Sequence, residues 1–402
     1  MSVGTAFHPR TATLNRKMQW REWSGYYAAS AYADAPDIEY NAIREAAALI
    51  DVSPLFKYLV RGPDAAKLID RVTVRNAAKL QVNQVWYTSW CDEHGKVVDD
   101  GTIARLDDTT YRWTAADPSL RWFRMNATGL DADIEEITEA TAALAVQGPL
   151  SRDVLEAATG ESFGELRYFR RRPSLIGDIP VDVTRTGYTG DLGFELWVDS
   201  GRAVDLWDSV MDAGRPFGAR PAGMLALDIV RVEAGLILLD VDYTSSRRAM
   251  IPEQAYSPFE LGIHGHFVTF DKPDFVGKRA LQAEQEAGGP IRRLVGLEMD
   301  WDGIERLHLE QDLPPAVPAV TSRTPVPLYA KRKQVGRVTS TTWSPILKKA
   351  IALASVPAAH ATLGTELEVE WTVEARRGRV DAVVVDLPFF NPPRKTAVTA
   401  GA

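Results

Sequence analysis

The stretch TRTGYTGDLGFE, residues 184–195, places three glycines at intervals of three before an acid, Glu195. Glycines in a tight connection between strands supply backbone angles that other residues avoid. A bend without side chains also lets a flat ligand approach the backbone. The two oxygens of Glu195 could then accept two parallel N–H groups from an amidine-like edge. The residues alone leave both interpretations open, a structural turn and a ligand site.

Other chemistry is weakly indicated. The dinucleotide fingerprint has the spacing Gly-x-Gly-x-x-Gly and needs a following helix, whereas FELWV after these glycines has the composition of a strand. His264 and His266 lack a third ligand at metal spacing, so no metal site is expected. Cys91 is the single cysteine, which excludes a disulfide within the chain.

The composition is that of a globular protein with an acidic balance. The chain has 402 residues, of which 45% are hydrophobic and 25% charged, and its net charge is -8. This balance argues against nucleic acid or a membrane surface as partner, because both require a basic face. No apolar segment approaches the ~20 residues of a membrane span, and no signal peptide is visible. We therefore expect a cytoplasmic protein, while its oligomeric state is not indicated.

The glycine stretch must be positioned by the strands on either side, predicted at 179–187 and 194–199. A second group of strands forms a predicted meander around the sequence DDG at 99–101. Its strands are expected at 85–90, 96–106 and 111–116. Helical periodicity predicts helices at 41–50, 63–72, 202–214 and 223–236. Short strands after residue 290 predict a separate β domain, and the last dozen residues are expected to fray.

Seven segments, in order, resemble the aminomethyltransferase family, the glycine cleavage T-proteins. They are AAALIDVSPL, HGKVVDDGTI, ALAVQGP, TRTGYTGDLGFE, LALDIVRVEAGL, FVGKRAL and STTWSPILKKAIALASV. The resemblance implies a three-domain α+β folate-binding fold with a C-terminal β-barrel. We expect an N-terminal α+β part at 1–145 that continues into 225–290, a second α+β domain at 146–224, and the β domain at 290–390.

The same resemblance implies that tetrahydrofolate binds between the domains. Glu195 is assigned to the pterin edge, and Asp99 to the reactive nitrogens of the folate. Without the resemblance, Asp99 would be interpreted as a solvated turn acid. Asp100 should point to the opposite face of its strand and is expected to be structural.

Further positions follow from the resemblance. Gly187, Tyr188 and Gly190 are expected to line the folate pocket. Arg231 is predicted either to contact the ligand or to pair with Asp228, three residues earlier on a helix. The anionic glutamyl tail of the folate needs basic partners, and the candidates are Arg167, Arg170, Arg171, Arg172, Arg247 and Arg248.

Departures from the family pattern cluster near the expected substrate. Leu227 replaces an arginine, Ala116 replaces an asparagine, and the segment ILLDVDYTSSRRAMIPEQAYSP contains extra residues. A lipoyl carrier protein is therefore not expected as partner. The chain is more similar to the tetrahydrofolate-dependent demethylases of the family, which implies a small methylated substrate.

Candidate substrate residues lie in the altered loop and near the N-terminus. Tyr243 is the candidate proton donor and Asp242 could bind a cationic substrate, although Tyr243 could equally be an ordinary loop residue. Trp23, Tyr26 and Tyr27 could form an aromatic wall or a cage for a methylated ammonium, or could pack in the core.

The resulting hypothesis is a tetrahydrofolate-dependent enzyme that moves a methyl group from an O-, N- or S-methyl small molecule to N5 of the folate. One alternative is the T-protein reaction, which gives 5,10-methylenetetrahydrofolate. A second alternative is a folate-binding scaffold without catalysis.

Overall fold

Helices and sheets alternate along the chain in this computed structural model, which describes residues 2–398 except the side chain of His266. The α-helices are α1 (His8–Leu14), α2 (Pro36–Glu45), α3 (Ala65–Val72), α4 (Leu120–Asn126), α5 (Ser151–Thr159), α6 (Ala203–Gly214), α7 (Met224–Glu233), α8 (Lys278–Glu286) and α9 (Trp301–Leu309). None of these described helices has the length and apolar character needed to cross a bilayer.

Three sheets precede the C-terminal domain. Their strands are β1 (Val3–Gly4), β2 (Trp20–Trp23), β3 (Tyr26–Ala29), β4 (Ala48–Asp51), β5 (Phe56–Arg61), β6 (Val85–Cys91), β7 (Val97–Arg105), β8 (Thr110–Ala115), β9 (Asp133–Glu136), β10 (Thr141–Gln147), β11 (Arg171–Ile176), β12 (Ile179–Thr184), β13 (Gly193–Asp199) and β14 (Arg220–Pro221). The first sheet is small and has the order β1-β3-β2.

The five-stranded sheet has the order β6-β7-β8-β5-β9 and contains the predicted meander. Large aromatic side chains cover one face, because β-branched and aromatic residues pack well on a pleated surface. Trp113 stacks on Phe123 with ring centroids 3.9 Å apart, and Trp90 meets Trp113 edge-on at 5.3 Å. The sheet holds Asp99 and Asp100 at the centre of β7.

The six-stranded sheet has the order β11-β12-β13-β10-β4-β14, and the glycine stretch joins β12 to β13. Side chains alternate along β13. Phe194 and Leu196 enter a buried core beneath helices α5 and α6, while Trp197 packs on the opposite face against residues of α7. Glu195 shares the face of Trp197 and so points toward α7.

One expectation about the first half of the chain differs from the structure. The helix predicted at 41–50 ends at Glu45, and Ala48–Asp51 is the strand β4. Pairing of β4 with β10 buries this apolar segment, and tertiary pairing outweighs helix propensity. The expected domain division at residue 145 stays a prediction; that residue lies within β10, which pairs with both β4 and β13.

The C-terminal domain is a closed barrel, as predicted, with the order β15-β18-β17-β16-β19-β20. Its strands are β15 (Arg292–Met299), β16 (Val326–Ala330), β17 (Lys333–Ser344), β18 (Lys349–Pro357), β19 (Glu366–Val373) and β20 (Arg376–Val385). Helix α9 packs with the buried barrel residues, so the domain is not made of strands alone. The mixture of helices and sheets with this barrel confirms the predicted α+β class.

The segment after the barrel is fastened to the glycine hairpin. Arg394 binds Asp191 through two hydrogen bonds of 2.6 and 2.7 Å. Arg185 donates to the carbonyl oxygens of Arg394, Lys395 and Ala397. The expectation of a frayed tail is therefore wrong for the residues up to 398, and residues 399–402 lie outside the described part.

Candidate functional site

The glycine hairpin is built around the side chain of Gln147. Its amide nitrogen donates to the carbonyl oxygens of Thr186 and Phe194, both at 3.2 Å, and so ties the two arms together. A Cβ on Gly187 or Gly193 would lie 2.0 or 2.2 Å from the Gln147 amide oxygen. These two glycines therefore make room for a buried amide.

The middle glycine of the stretch forms the turn itself. Gly190 has a φ of +72°, and a Cβ there would lie 2.5 Å from the Cβ of Ala234 after α7. The left-handed backbone and the close approach each require glycine. All three glycines thus have a structural explanation that involves no ligand.

Glu195 is half-buried and has no ion-pair partner among residues 2–398. Burial raises the pKa of Glu195, while the hydroxyl of Thr186, which donates to Oε2 at 2.5 Å, lowers it. The nearby Arg112 is engaged with Asp182 at 2.6 Å and lies over the ring of Trp197. A carboxylate held by hydroxyls and without a cation of its own suits a ligand that donates N–H groups.

Asp99 and Asp100 point to opposite faces of β7, as expected, but their surroundings differ from the prediction. Asp99 is fully buried opposite Trp90, and its oxygens accept the backbone N–H groups of Asp100 and Asp117 at 2.8 and 2.9 Å. Burial and the neighbouring charge of Asp100 raise its pKa well above the usual range. Asp99 is thus sealed in a structural position.

Asp100 retains accessible surface and accepts hydrogen bonds from the hydroxyls of Tyr243 and Tyr87. Burial raises the pKa of Asp100, and the two tyrosine hydrogen bonds oppose that effect. Burial and the charge of Asp100 raise the pKa of Tyr243 well above its ordinary value, so this hydroxyl is a neutral donor. Of the two acids, Asp100 is the one that is half-buried and accepts tyrosine hydroxyls.

Sequence reasoning missed Asp100 and Tyr87. The alternation along β7 indicated that only one of the two acids could face the ligand, but it did not indicate which one. Tyr87 lies in the segment VWYTSW of β6, directly opposite Thr102 of β7. Its position on the same face as Asp100 follows from that register.

Tyr188 connects the glycine hairpin to the surroundings of Asp100, Tyr87 and Tyr243. Its hydroxyl donates to the carbonyl oxygen of Ile237, and its ring packs with Trp197 and with helix α7. Burial raises its pKa above the usual range, and the charges of Asp242 and Asp100 add to that effect while Arg231 opposes it. The turn that precedes Glu195 is therefore electrostatically coupled to Asp100.

Arg231 and Asp242 form a fully buried ion-pair network. Arg231 binds Asp228 at 2.9 Å and Asp242 at 2.5 Å, and also donates to Ser340 at 2.8 Å. Asp242 further accepts from the backbone of Leu238 and from the hydroxyls of Thr339 and Ser340. The ion-pair alternative for Arg231 agrees with this geometry, and Asp242 has its oxygens occupied by the protein.

The N-terminal aromatic residues separate into two groups. Trp23 packs against the apolar cluster that covers the Glu195 face, as Tyr188 does. Tyr27 is 39% exposed and contacts Trp20 on the outside. Tyr26 is half-buried next to it on β3. The structure thus brings only Trp23 to the centre of the molecule.

The altered loop after Tyr243 covers the segment next to Asp99. Arg248 pairs with Asp117 at 2.9 Å and with Asp240 at 2.8 Å. Arg247 donates to the carbonyl oxygen of Pro118 at 3.1 Å. Leu227, another position that departs from the family pattern, is buried in the same apolar cluster as Trp23. At Leu227, the part of the chain that departs from the family pattern is therefore apolar.

No group of three or more His, Cys, Asp or Glu side chains in the described part of the chain has the arrangement of a metal site. The titratable groups at the centre are instead carboxylates and phenols. Such groups can bind N–H donors, stabilise positive charge and move protons.

Comparison with known proteins agrees with the resemblance found in the sequence. Residues 6–272 match the GCVT N-terminal domain, and residues 292–391 match the Glycine cleavage T-protein C-terminal barrel domain. A crystal structure of glycine cleavage system aminomethyltransferase T from Bartonella henselae superimposes with a TM-score of 0.80 at 23% identity, covering 97% of this chain and 99% of that one. This last likeness concerns the fold.

Two relatives are closer in sequence. The chain is 36% identical to a trimethylamine-oxide aldolase of Ruegeria pomeroyi over 98% of its own length, but it spans only 48% of that protein. It is 37% identical to an aminomethyltransferase of Shouchella clausii, over 88% of this chain and 89% of that protein. The chain therefore belongs to the glycine cleavage T-protein family of folate-dependent one-carbon transfer enzymes.

Proposed function

We propose that this protein transfers a methyl group from a small O-, N- or S-methyl compound to N5 of tetrahydrofolate. The observation that carries the proposal is that Asp100 is half-buried and that its carboxylate accepts two tyrosine hydroxyls. A cytoplasmic location and a free small molecule as methyl donor, in place of a lipoyl carrier protein, belong to the same proposal.

The residues on the Glu195 face fit a folate. Glu195 would hold the amidine-like edge of the pterin, since its carboxylate has no cation of its own in the described part of the chain. Trp197 and Tyr188 supply flat apolar surfaces on the same face. Tetrahydrofolate would supply the nucleophile of the reaction, the amine nitrogen N5.

Asp100 would stabilise the positive charge that develops when N5 acquires a fourth substituent, and its Oδ1 would accept the proton that this nitrogen then loses. Tyr243 and Tyr87 orient the carboxylate by donating to it. During the transfer the bond from the methyl carbon to its leaving atom breaks as the bond to N5 forms. Alignment of these three atoms supplies much of the rate.

The charges at the centre favour a methyl group carried by a positively charged nitrogen or sulfur. Asp100 and the rings of Tyr87 and Tyr188, which lie close enough to influence one another's charge, are the groups that attract such a cation. A leaving amine or thioether needs no proton, whereas an ether oxygen would have to take one from Tyr243. Trimethylamine oxide, named in the relative from Ruegeria pomeroyi, contains methyl groups on a positively charged nitrogen, which agrees with this preference.

The test is to incubate the protein with tetrahydrofolate and a panel of methylamines, methylsulfonium compounds and methoxy-arenes. Methylated folate and demethylated donor are both measured by mass spectrometry. We expect equal amounts of the two products with at least one cationic donor, and a rate of product formation lower by roughly 10²-fold or more with Asp100→Asn. Asp133→Asn, an exposed acid of the same sheet, is the matched control. Failure of every donor to yield methylated folate would refute the proposal.

The aminomethyltransferase reaction is a second candidate, because the relative from Shouchella clausii bears that name at 37% identity. It would form 5,10-methylenetetrahydrofolate and ammonia from an aminomethylated lipoyl carrier. The replacement by Leu227 and the altered loop after Tyr243 disfavour it. Ammonia release from an aminomethylated carrier, measured in the same assay, distinguishes the two reactions.

A further inference from the structure

Arg75 is a half-buried cation without an acidic partner. Its guanidinium lies 3.9 Å from the ring centroid of Trp86 and 5.1 Å from that of Phe267. One nitrogen donates to the carbonyl oxygen of Tyr87 at 2.9 Å. No carboxylate lies within ion-pair distance among residues 2–398, and burial lowers the pKa of Arg75 to about 10. Partial desolvation of a cation that has no counter-ion costs free energy.

The basic residues first considered for the folate tail are mostly engaged elsewhere. Arg171 pairs with Asp182 at 2.7 Å, and Arg172 pairs with Glu161 at 2.8 Å. The two arginines of the altered loop are held by the segment at 117–118. Arg171, Arg172 and Arg248 therefore have acidic partners, whereas Arg75 is held only by a carbonyl oxygen and aromatic rings.

Arg75 also lies on one side of the proposed reaction centre. Tyr87 links the two, because its hydroxyl binds Asp100 while its backbone carbonyl binds Arg75. The ring of Tyr87 meets Phe267 edge-on at 6.0 Å. The order of groups is thus a carboxylate, then aromatic rings, then an arginine whose planar face is stacked.

A stacked guanidinium can present the N–H groups that its carbonyl contact does not use to a planar acceptor such as a carboxylate. Folates carry their groups in a matching order, with the reactive nitrogens followed by an aromatic ring and then by glutamyl carboxylates. We propose that Arg75 binds the glutamyl carboxylate of the folate, with the aromatic ring of the folate beside Tyr87 and Phe267. This inference rests on the proposed function, since it assumes that folate binds with its reactive nitrogens at Asp100.

The test compares two ligands that differ only in the carboxylate tail. Dissociation constants of tetrahydrofolate and of tetrahydropteroate, which lacks the glutamate, are measured by calorimetry under anaerobic conditions. In the unaltered protein, tetrahydrofolate should bind about tenfold more tightly, as one charge-assisted pair predicts. Arg75→Gln should abolish this difference by weakening tetrahydrofolate alone, and Arg75→Lys should restore part of it. Arg124→Gln, an exposed arginine on α4, is the matched control.

The possible results distinguish a failure of the Arg75 assignment from a failure of the proposed function. If the unaltered protein binds neither ligand, the proposed function fails. If both ligands bind but Arg75→Gln weakens them equally or not at all, the assignment of Arg75 is overturned. The carboxylate that binds Arg75 could also belong to the methyl donor. In that case Arg75→Gln would raise KM for a carboxylated donor and leave the dissociation constant of tetrahydrofolate unchanged. That result would place the donor at Arg75 and exclude the folate tail. Thermal unfolding of each variant shows whether it is folded.

Discussion

The hydroxyl of Tyr243 donates to Asp100 and not to Asp99, although the two acids are neighbours on β7. Because successive residues of a strand face opposite sides, only Asp100 shares a face with the tyrosines. Asp99 is instead a ligand for two backbone N–H groups. The two carboxylates therefore have different surroundings, which agrees with the proposed roles of Asp100 in chemistry and Asp99 in structure.

Substitution of each acid by its amide should reveal this separation. Asp100→Asn removes the charge and the proton acceptor, so we expect turnover to fall by roughly 10²-fold or more with little change in melting temperature. Asp99→Asn replaces one acceptor oxygen by an NH₂ group that faces a backbone N–H, and should cost about 1–3 kcal/mol of stability. Thermal unfolding and single-turnover rates distinguish the two. A catalytic defect in Asp99→Asn at unchanged stability would reverse the assignment.

The variant Tyr243→Phe, which lacks the hydroxyl, tests whether Tyr243 donates a proton or only orients Asp100. If it protonates an ether oxygen, Tyr243→Phe should slow the transfer step by roughly 10²–10⁴-fold for a methoxy-arene. For a cationic donor it only orients Asp100, and the loss should be about tenfold or less. The same variant is assayed with both donors in single-turnover mode. Equal rates in variant and unaltered protein would assign Tyr243 to packing.

The pH dependence follows from the carboxylates. Burial raises the pKa of Asp100, so activity that requires its ionised form should decline as pH falls, at a higher pH than for an ordinary carboxyl group. The contribution of Asp100 to folding stability depends on pH in the opposite direction. A group whose pKa is raised by folding binds its proton more tightly in the folded state, so its contribution is present at low pH and lost as pH rises through the folded value. An acid limb of kcat/KM that persists unchanged in Asp100→Asn would contradict the assignment.

Because Gln147 packs between two glycines, we expect substitutions at Gln147 and Gly193 to have strongly non-additive effects on stability. Gly193→Ala places a methyl group against the Gln147 amide and should destabilise the fold by about 1–3 kcal/mol. Gln147→Ala loses the cross-strand hydrogen bonds but opens space, so the double variant should be more stable than the sum of the two changes predicts. Urea unfolding of the four proteins measures this coupling. If the two single changes in the free energy of unfolding add up to that of the double variant, the contact between Gln147 and Gly193 is unimportant for stability.

The buried network of Arg231 predicts that Asp242 contributes to stability and not to substrate binding. Asp242→Asn leaves the guanidinium with a single carboxylate and should cost about 3 kcal/mol. The measurement is the melting temperature without ligand, together with KM for the methyl donor. A raised KM at unchanged stability would support the substrate role first considered for Asp242.

The sequence predicted the strands around the hairpin, the meander and the barrel because their patterns are local. It did not predict the strand Ala48–Asp51, whose apolar residues fit a helix equally well until the pairing with β10 is known. The roles of Asp99 and Asp100 depend on long-range packing in the same way. Strand alternation identifies two faces, and the packing of Tyr87 and Tyr243 on the Asp100 face is the reason why we propose Asp100 in place of Asp99. Arg75 carried no motif, and its stacking on Trp86 and Phe267 depends on long-range contacts.

The clasp formed by Arg394 on Asp191 has a consequence for biosynthesis. The hairpin that carries Glu195 is translated well before the residue that fastens it, because Arg394 follows Asp191 by 203 positions. We therefore expect a nascent chain to acquire a competent ligand pocket only after Arg394 has left the ribosomal exit tunnel. Arg394→Ala should leave the barrel intact but loosen the hairpin, which hydrogen exchange of the hairpin amides would measure.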